Sequence, residues 1–136
     1  MSVTIEDDQP NGLASMLAGL IEANLQRHPR RRALLRDAVF DLSARDAGAA
    51  ATIETRAGSV SVRNGANAEG AHISVEASSA ELLLLASVPL RAGFPDALTP
   101  EGRTVLRHVL AGGIRIRGLL RHPGRLSRLA RLLSVA

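Results

Sequence analysis

The chain has no cysteine, lysine, tryptophan or tyrosine, and its only aromatic residues are Phe40 and Phe94. Without cysteine there is no disulfide framework, no thiolate nucleophile and no cysteine-ligated metal. With no tryptophan or tyrosine, and neither phenylalanine near the arginines, base stacking is missing, so nucleic acid is not expected as a partner. The longest apolar run, "LLLLASVPL", falls far short of the roughly 20 residues that span a bilayer. The opening "MSVTIEDDQPNG" is acidic and has no basic stretch ahead of an apolar one, so no secretory signal is expected. A soluble cytoplasmic protein is the expectation, and 136 residues fit one globular domain.

Chemistry-bearing motifs are scarce as well. There is no G-x-S-x-G elbow, P-loop, G-x-G-x-x-G or H-E-x-x-H. The four histidines, His28, His72, His108 and His122, include no pair at i, i+4 and none next to another metal-ligand candidate. No metal, no cofactor and no enzymatic activity are therefore expected. All 17 basic residues are arginine, which reads as coding bias more than as a physical demand. Their distribution is informative: residues 91–136 carry nine arginines against Asp96 and Glu101, whereas residues 1–90 are net acidic. An anionic partner should meet the C-terminal third.

Periodicity organises the rest. Residues 1–11 read as a flexible tail ending at Asn11, an N-cap for a helix over 12–27 whose Leu13, Met16, Leu17, Leu20, Ile21 and Leu25 fall at helical spacing. From residue 38 the period becomes two. "AVFDLSAR", "ATIETR", "SVSVR" and "HISVEA" each alternate apolar with polar residues, and "IRIRG" at 114–118 repeats the pattern. Short glycine-bearing connections make antiparallel neighbours the simplest arrangement. Between the fourth and fifth strands, Ser78-x-x-Glu81 is a capping box ahead of Leu82–Leu85. Thr99 and Pro100 then open another helix, and a last one follows Pro123. The expected domain, 12–136, is α+β: a two-layer fold in which a five-stranded, mostly antiparallel sheet has helices on one face.

The dry strand faces lack bulk, with Ala44, Ala51, Thr55 and Ala77 beside valine and isoleucine. Small residues opposite leucine-rich helices either pack closely or leave an apolar space suited to hydrocarbon. In the last helix, 100° per residue puts Leu126, Leu129, Leu132 and Leu133 in one sector and Arg125, Arg128 and Arg131 in the adjoining one. Such a helix belongs at an apolar–water boundary, either the rim of its own domain or a lipid headgroup layer.

The order of these pieces resembles the sterol carrier protein 2 type lipid-binding domain. The resemblance rests on "AHISVEAS" leading into "SAELLLLA", a variable stretch, then "VLAGGIRIRG" and a leucine-rich C-terminal helix, and it spans roughly residues 12–134. It implies a hydrophobic tunnel between sheet and helices that holds a fatty acid, fatty acyl-CoA or sterol-like lipid, without catalysis. By position the lining would be Leu82, Leu85, Val105, Leu106 and Val109 from the inserted helices and Leu129, Leu132 and Leu133 from the last helix. Ile116 from the last strand and Phe40, Ile53, Val62 and Val75 from the sheet would complete it. Two departures stand out: the long segment "VPLRAGFPDALTPEGR", where Phe94 would serve as mouth or lid, and Leu119 after the final strand's glycine, where the family often has an acid or amide. The chain ends "SVA", so no peroxisomal tripeptide is present, and a stand-alone bacterial version is expected.

The implied partner is thus a lipid or other hydrophobic small molecule, with Arg121, Arg125, Arg128 and Arg131 contacting anionic headgroups or the ligand's polar end at a membrane surface. The alternative is a protein-interaction or accessory module with a closed core and a basic, leucine-rich C-terminal helix. Oligomeric state is left open.

Overall fold

Every alternating segment forms a strand, but the strands are not arranged as a meander. The computed structural model describes residues 3–67, 70–87, 90–91, 94–95, 97–118 and 120–134, the side chains of 90–95 excepted. In chain order the elements are β1 (Val3–Ile5), α1 (Gly12–Arg27), a 3₁₀ helix (Pro29–Leu34), β2 (Ala38–Ala44), β3 (Ala49–Arg56), β4 (Ser59–Asn64) and β5 (Ile73–Ala77). There follow α2 (Ser79–Ser87), β6 (Leu90–Arg91), β7 (Phe94–Pro95), α3 (Pro100–Leu110), β8 (Arg115–Arg117) and α4 (Pro123–Leu133).

The α+β class holds, but the five-stranded, mostly antiparallel sheet is corrected to a six-stranded mixed one, ordered β1-β4-β3-β2-β5-β8. The pairs β2/β3, β3/β4 and β5/β8 are antiparallel, while β1/β4 and β2/β5 are parallel. The cause lies in the connection after β4. It does not turn back as a hairpin; it carries the chain to the free edge of β2, where Phe40, Leu42 and Ala44 meet Ile73, Val75 and Ala77 in register. On the opposite side of the sheet this crossover buries two residues expected to be wet. Asp41 Oδ1 accepts from the Asn67 backbone N–H at 3.1 Å, and the Thr52 hydroxyl lies 2.9 Å from Asp41 Oδ1 and 2.8 Å from the Gly65 carbonyl oxygen. The sixth strand comes from the segment expected to be a loose tail: Val3, Thr4 and Ile5 pair with Val60, Ser61 and Val62.

The helices form where local chemistry asks for them. Asn11 caps α1 by accepting from the Ala14 N–H at 2.8 Å, and it ties the helix start to the sheet through the Ala50 carbonyl and the Asn64 side chain. Leu13, Leu17, Ile21 and Leu25 make the buried stripe that lays α1 across β1, β3 and β4. In α2 the capping box is reciprocal: the Ser78 N–H donates to Glu81 Oε1 at 3.0 Å and the Glu81 N–H to the Ser78 hydroxyl at 3.1 Å. Thr99 caps α3 through the Gly102 N–H at 3.0 Å. The last helix, α4, packs against α1, α2 and the 3₁₀ helix. Side chains from all four helices join Phe40, Leu42, Ile53, Val62 and Ile73 of the sheet in one continuous apolar core.

Candidate functional site

α2 carries four consecutive leucines, Leu82 to Leu85, on a helix of two and a half turns. At 100° per residue they spread over most of the circumference, and only part of that circumference can face the core. Leu82 and Ala86 take the buried side; Leu84 and Leu85 are half-buried; Leu83 remains 55% exposed. On α1 the buried stripe likewise leaves Met16 and Leu20 on a flank. The two flanks face each other across an open apolar groove of about 460 Å³, lined by Met16, Leu20, Ala80, Leu83, Leu84, Ala86 and Ser87. Its size falls within the range of small-molecule sites. None of its lining residues is among the tunnel positions implied by the resemblance. The signal for it was the leucine run itself, which is one apolar face too many for a single core.

Of the implied lining positions, Phe40, Ile53, Val62, Val75, Leu82, Val105, Leu129 and Leu132 are buried together in the core, and Leu85, Val109, Ile116 and Leu133 pack half-buried against it. Leu106 is an exposed residue of α3. The Phe94 side chain lies outside the described residues, although its backbone pairs with Leu90–Arg91 as part of a two-stranded ribbon.

A polar clamp joins α2 to α3. Glu81 Oε2 is 2.7 Å from Nδ1 of His108, and Arg45 reaches Glu81 at 3.6 Å, Glu76 at 3.4 Å and the carbonyl oxygen of Gly113. The Ser78 backbone N–H, more than any other partner, holds the Glu81 carboxyl below the usual carboxylate range; burial opposes it, and the Ser78 side chain and His108 add to it. His108 thus braces two helices, and its neighbour Arg107 is exposed. Among the described residues no group of three histidine or acidic side chains is placed to hold a metal, and no helix is long and apolar enough to cross a membrane.

The four arginines of the C-terminal segment divide into two kinds. Arg121 and Arg131 are exposed, whereas Arg125 and Arg128 are half-buried. Burial holds the Arg128 guanidinium below its ordinary pKa, with the charges of Arg125 and Arg36 adding to the effect.

No family model matches the chain, and no curated protein does. Solved structures do. One, a ubiquinone synthesis protein described as UbiJ-SCP2, aligns with a TM-score of 0.61 over 89% of this chain and 92% of its own, at 15% identity. A second, a conserved protein of Thermus thermophilus whose name links it to sterol carrier protein, aligns over 95% and 92% with a TM-score of 0.44 and 12% identity. The fold is that of a sterol carrier protein 2-like domain, in agreement with the order of elements read from the sequence.

Proposed function

We propose that this chain, with its sterol carrier protein 2-like fold, binds and transfers a hydrophobic ligand without catalysing a reaction. The carrying observation is the open groove between α1 and α2, where Met16 and Leu83 keep apolar surface in water at the edge of the core. Exposed apolar surface gathered in a concavity is the feature that hydrocarbon recognises, at about 25 cal/mol per Å² covered. An aliphatic wall offers little directional discrimination, so the ligand class is broad: fatty acid, fatty acyl-CoA or a sterol-like lipid. The structural neighbour is named as a ubiquinone synthesis protein, which adds quinone lipids to the candidates for this chain.

Transfer in this reading is partitioning. The acyl or prenyl chain leaves the bilayer, displaces weakly held water from the groove, and extends toward the core positions named from the resemblance, Leu82, Leu85, Val109 and Leu133 foremost. Arg121, Arg125, Arg128 and Arg131 meet anionic headgroups or the ligand's polar end during docking, each worth about 1 kcal/mol beside an anionic surface. In this reading the protein works in the cytoplasm.

The same groove favours one other occupant, the apolar face of a partner helix, which would make the chain an interaction module. Native mass spectrometry of the purified chain, with organic extraction of whatever co-purifies, separates the two. A stoichiometric lipid supports the carrier. A lipid-free mass that takes up no fatty acid, acyl-CoA, sterol or prenylated quinone overturns it in favour of the module.

A further inference from the structure

Five basic side chains gather where the residue ahead of β5, the corner between the 3₁₀ helix and β2, and the first turns of α4 come together. The rings of His72 and His122 meet edge to face, 5.1 Å apart. Nδ1 of His72 accepts from the Val39 backbone N–H at 3.0 Å, and a guanidinium nitrogen of Arg125 lies 2.9 Å from Nδ1 of His122. Backbone N–H and guanidinium groups only donate, so both rings accept through an unprotonated Nδ1. Each ring therefore has its Nε2–H left to offer as a donor. Arg128 follows one turn after Arg125 and feels the charges of both Arg125 and Arg36.

What is missing is an acid. Among the described residues, none of the five has a carboxylate oxygen within 4.0 Å. The Nε of Arg125 is fully buried and has no hydrogen-bond partner. A buried, charged donor left unpaired is expensive, and three guanidinium groups held together without an acid repel one another. No side chain caps α4, so the positive end of its dipole adds to the same field. A carboxylate would neutralise one of the three charges. A phosphate or diphosphate neutralises two or three, and its oxygens match the forked donors of arginine.

We propose that this junction is a phosphoryl-binding site, in which Arg36, Arg125 and Arg128 together with His72 and His122 hold the oxyanions of a phosphate or diphosphate group. It deepens the carrier reading and rests on it only in making that group the polar end of the lipid. Arg121 and Arg131, exposed on the same segment, are not part of it.

The test is isothermal titration of the full chain with inorganic pyrophosphate at low ionic strength, run beside flotation with vesicles of phosphatidylglycerol or phosphatidylcholine. The expected result is saturable one-to-one binding of pyrophosphate, weakened about tenfold or more by Arg125→Gln or Arg128→Gln and less than about twofold by Arg115→Gln on the exposed strand β8. Arg36→Gln, at an exposed position, serves if a helix variant fails to fold. Association with phosphatidylglycerol vesicles that pyrophosphate competes away assigns the phosphoryl group to a membrane lipid. Pyrophosphate binding without vesicle association assigns it to a soluble phosphorylated ligand. The proposal is overturned by absence of saturable binding in wild type, or by an Arg115→Gln loss equal to that of Arg125→Gln, which would mean diffuse charge. Uptake of an uncharged lipid, measured separately, keeps the carrier reading distinguishable. Its failure sinks the carrier and leaves the pyrophosphate result standing.

Discussion

Replacing both Met16 and Leu83 by glutamine tests the groove without touching the fold. Glutamine is as good a helix former as methionine or leucine, and both positions already face water, so stability should stay within about 0.5 kcal/mol of wild type. Ligand affinity should not. Complete burial of a leucine or methionine side chain contributes about 1.5–3 kcal/mol. Leu83 is 55% exposed, so a ligand that covers it gains about 0.8–1.7 kcal/mol there; for Met16, 36% exposed, the same scaling gives about 0.5–1.1 kcal/mol. The sum, about 1.3–2.8 kcal/mol, corresponds to a roughly 10- to 100-fold rise in Kd. Titration with a fluorescent fatty acid reads this directly, and Leu120→Gln, 97% exposed and outside the groove, is the control. A double variant with an unchanged melting curve and an unchanged Kd would refute the groove as the ligand's seat.

Three further outcomes follow from the packing. Leu132 is 1% exposed in the core, so Leu132→Ala should cost about 2–5 kcal/mol in a denaturant titration, against little for the glutamine substitutions at Met16 and Leu83. Glu81→Gln keeps an oxygen that can accept from the Ser78 N–H but removes the negative charge that faces His108, Arg45 and the helix N-terminus, and should cost about 0.3–1 kcal/mol at neutral pH. Because the folded carboxyl of Glu81 titrates below its unfolded value, its contribution is present above the unfolded pKa and lost as pH falls through the folded one. Wild-type stability should therefore decline below about pH 5 more steeply than that of Glu81→Gln, as thermal melts across that range would show. Gly118 holds a positive φ of 89°, and a Cβ there would fall on the carbonyl oxygen of His72; Gly118→Ala should lower the melting temperature and shift the His72 and His122 ring signals together.

The caps and strand faces were legible because their causes are local. Asn11, Ser78 with Glu81, and Thr99 each satisfy N–H groups within three residues, and alternation in "AVFDLSAR" or "HISVEA" decides which side chains share a face. Alternation is silent on which strand lies beside which, so β5 parallel to β2 could not be read from it. Three residues are too few to alternate, and β1 sits in an acidic segment that otherwise suggests a tail. Asn24 reads as an ordinary polar residue of α1, yet it is buried and donates to the Leu132 carbonyl at 2.9 Å, 108 residues away. Nothing near it in sequence announces that partner.

The same division between local and distant causes explains why the order of elements could be recognised although no family model matches and the similar structure is only 15% identical. Periods and caps tolerate exchange of one leucine for another apolar residue, so they outlast residue identity. A ligand site does not share that tolerance, because it depends on which apolar side chains the core leaves over. In this chain that remainder is fixed by the phase of α2 against the core it shares with α3 and α4: rotating the helix by one residue would bury Leu83 and expose Leu82. Glu81 braces that phase through its contacts with His108 and Arg45. The capping-box glutamate that was plain in the sequence therefore helps, through the fold, to hold in place the groove that was not plain.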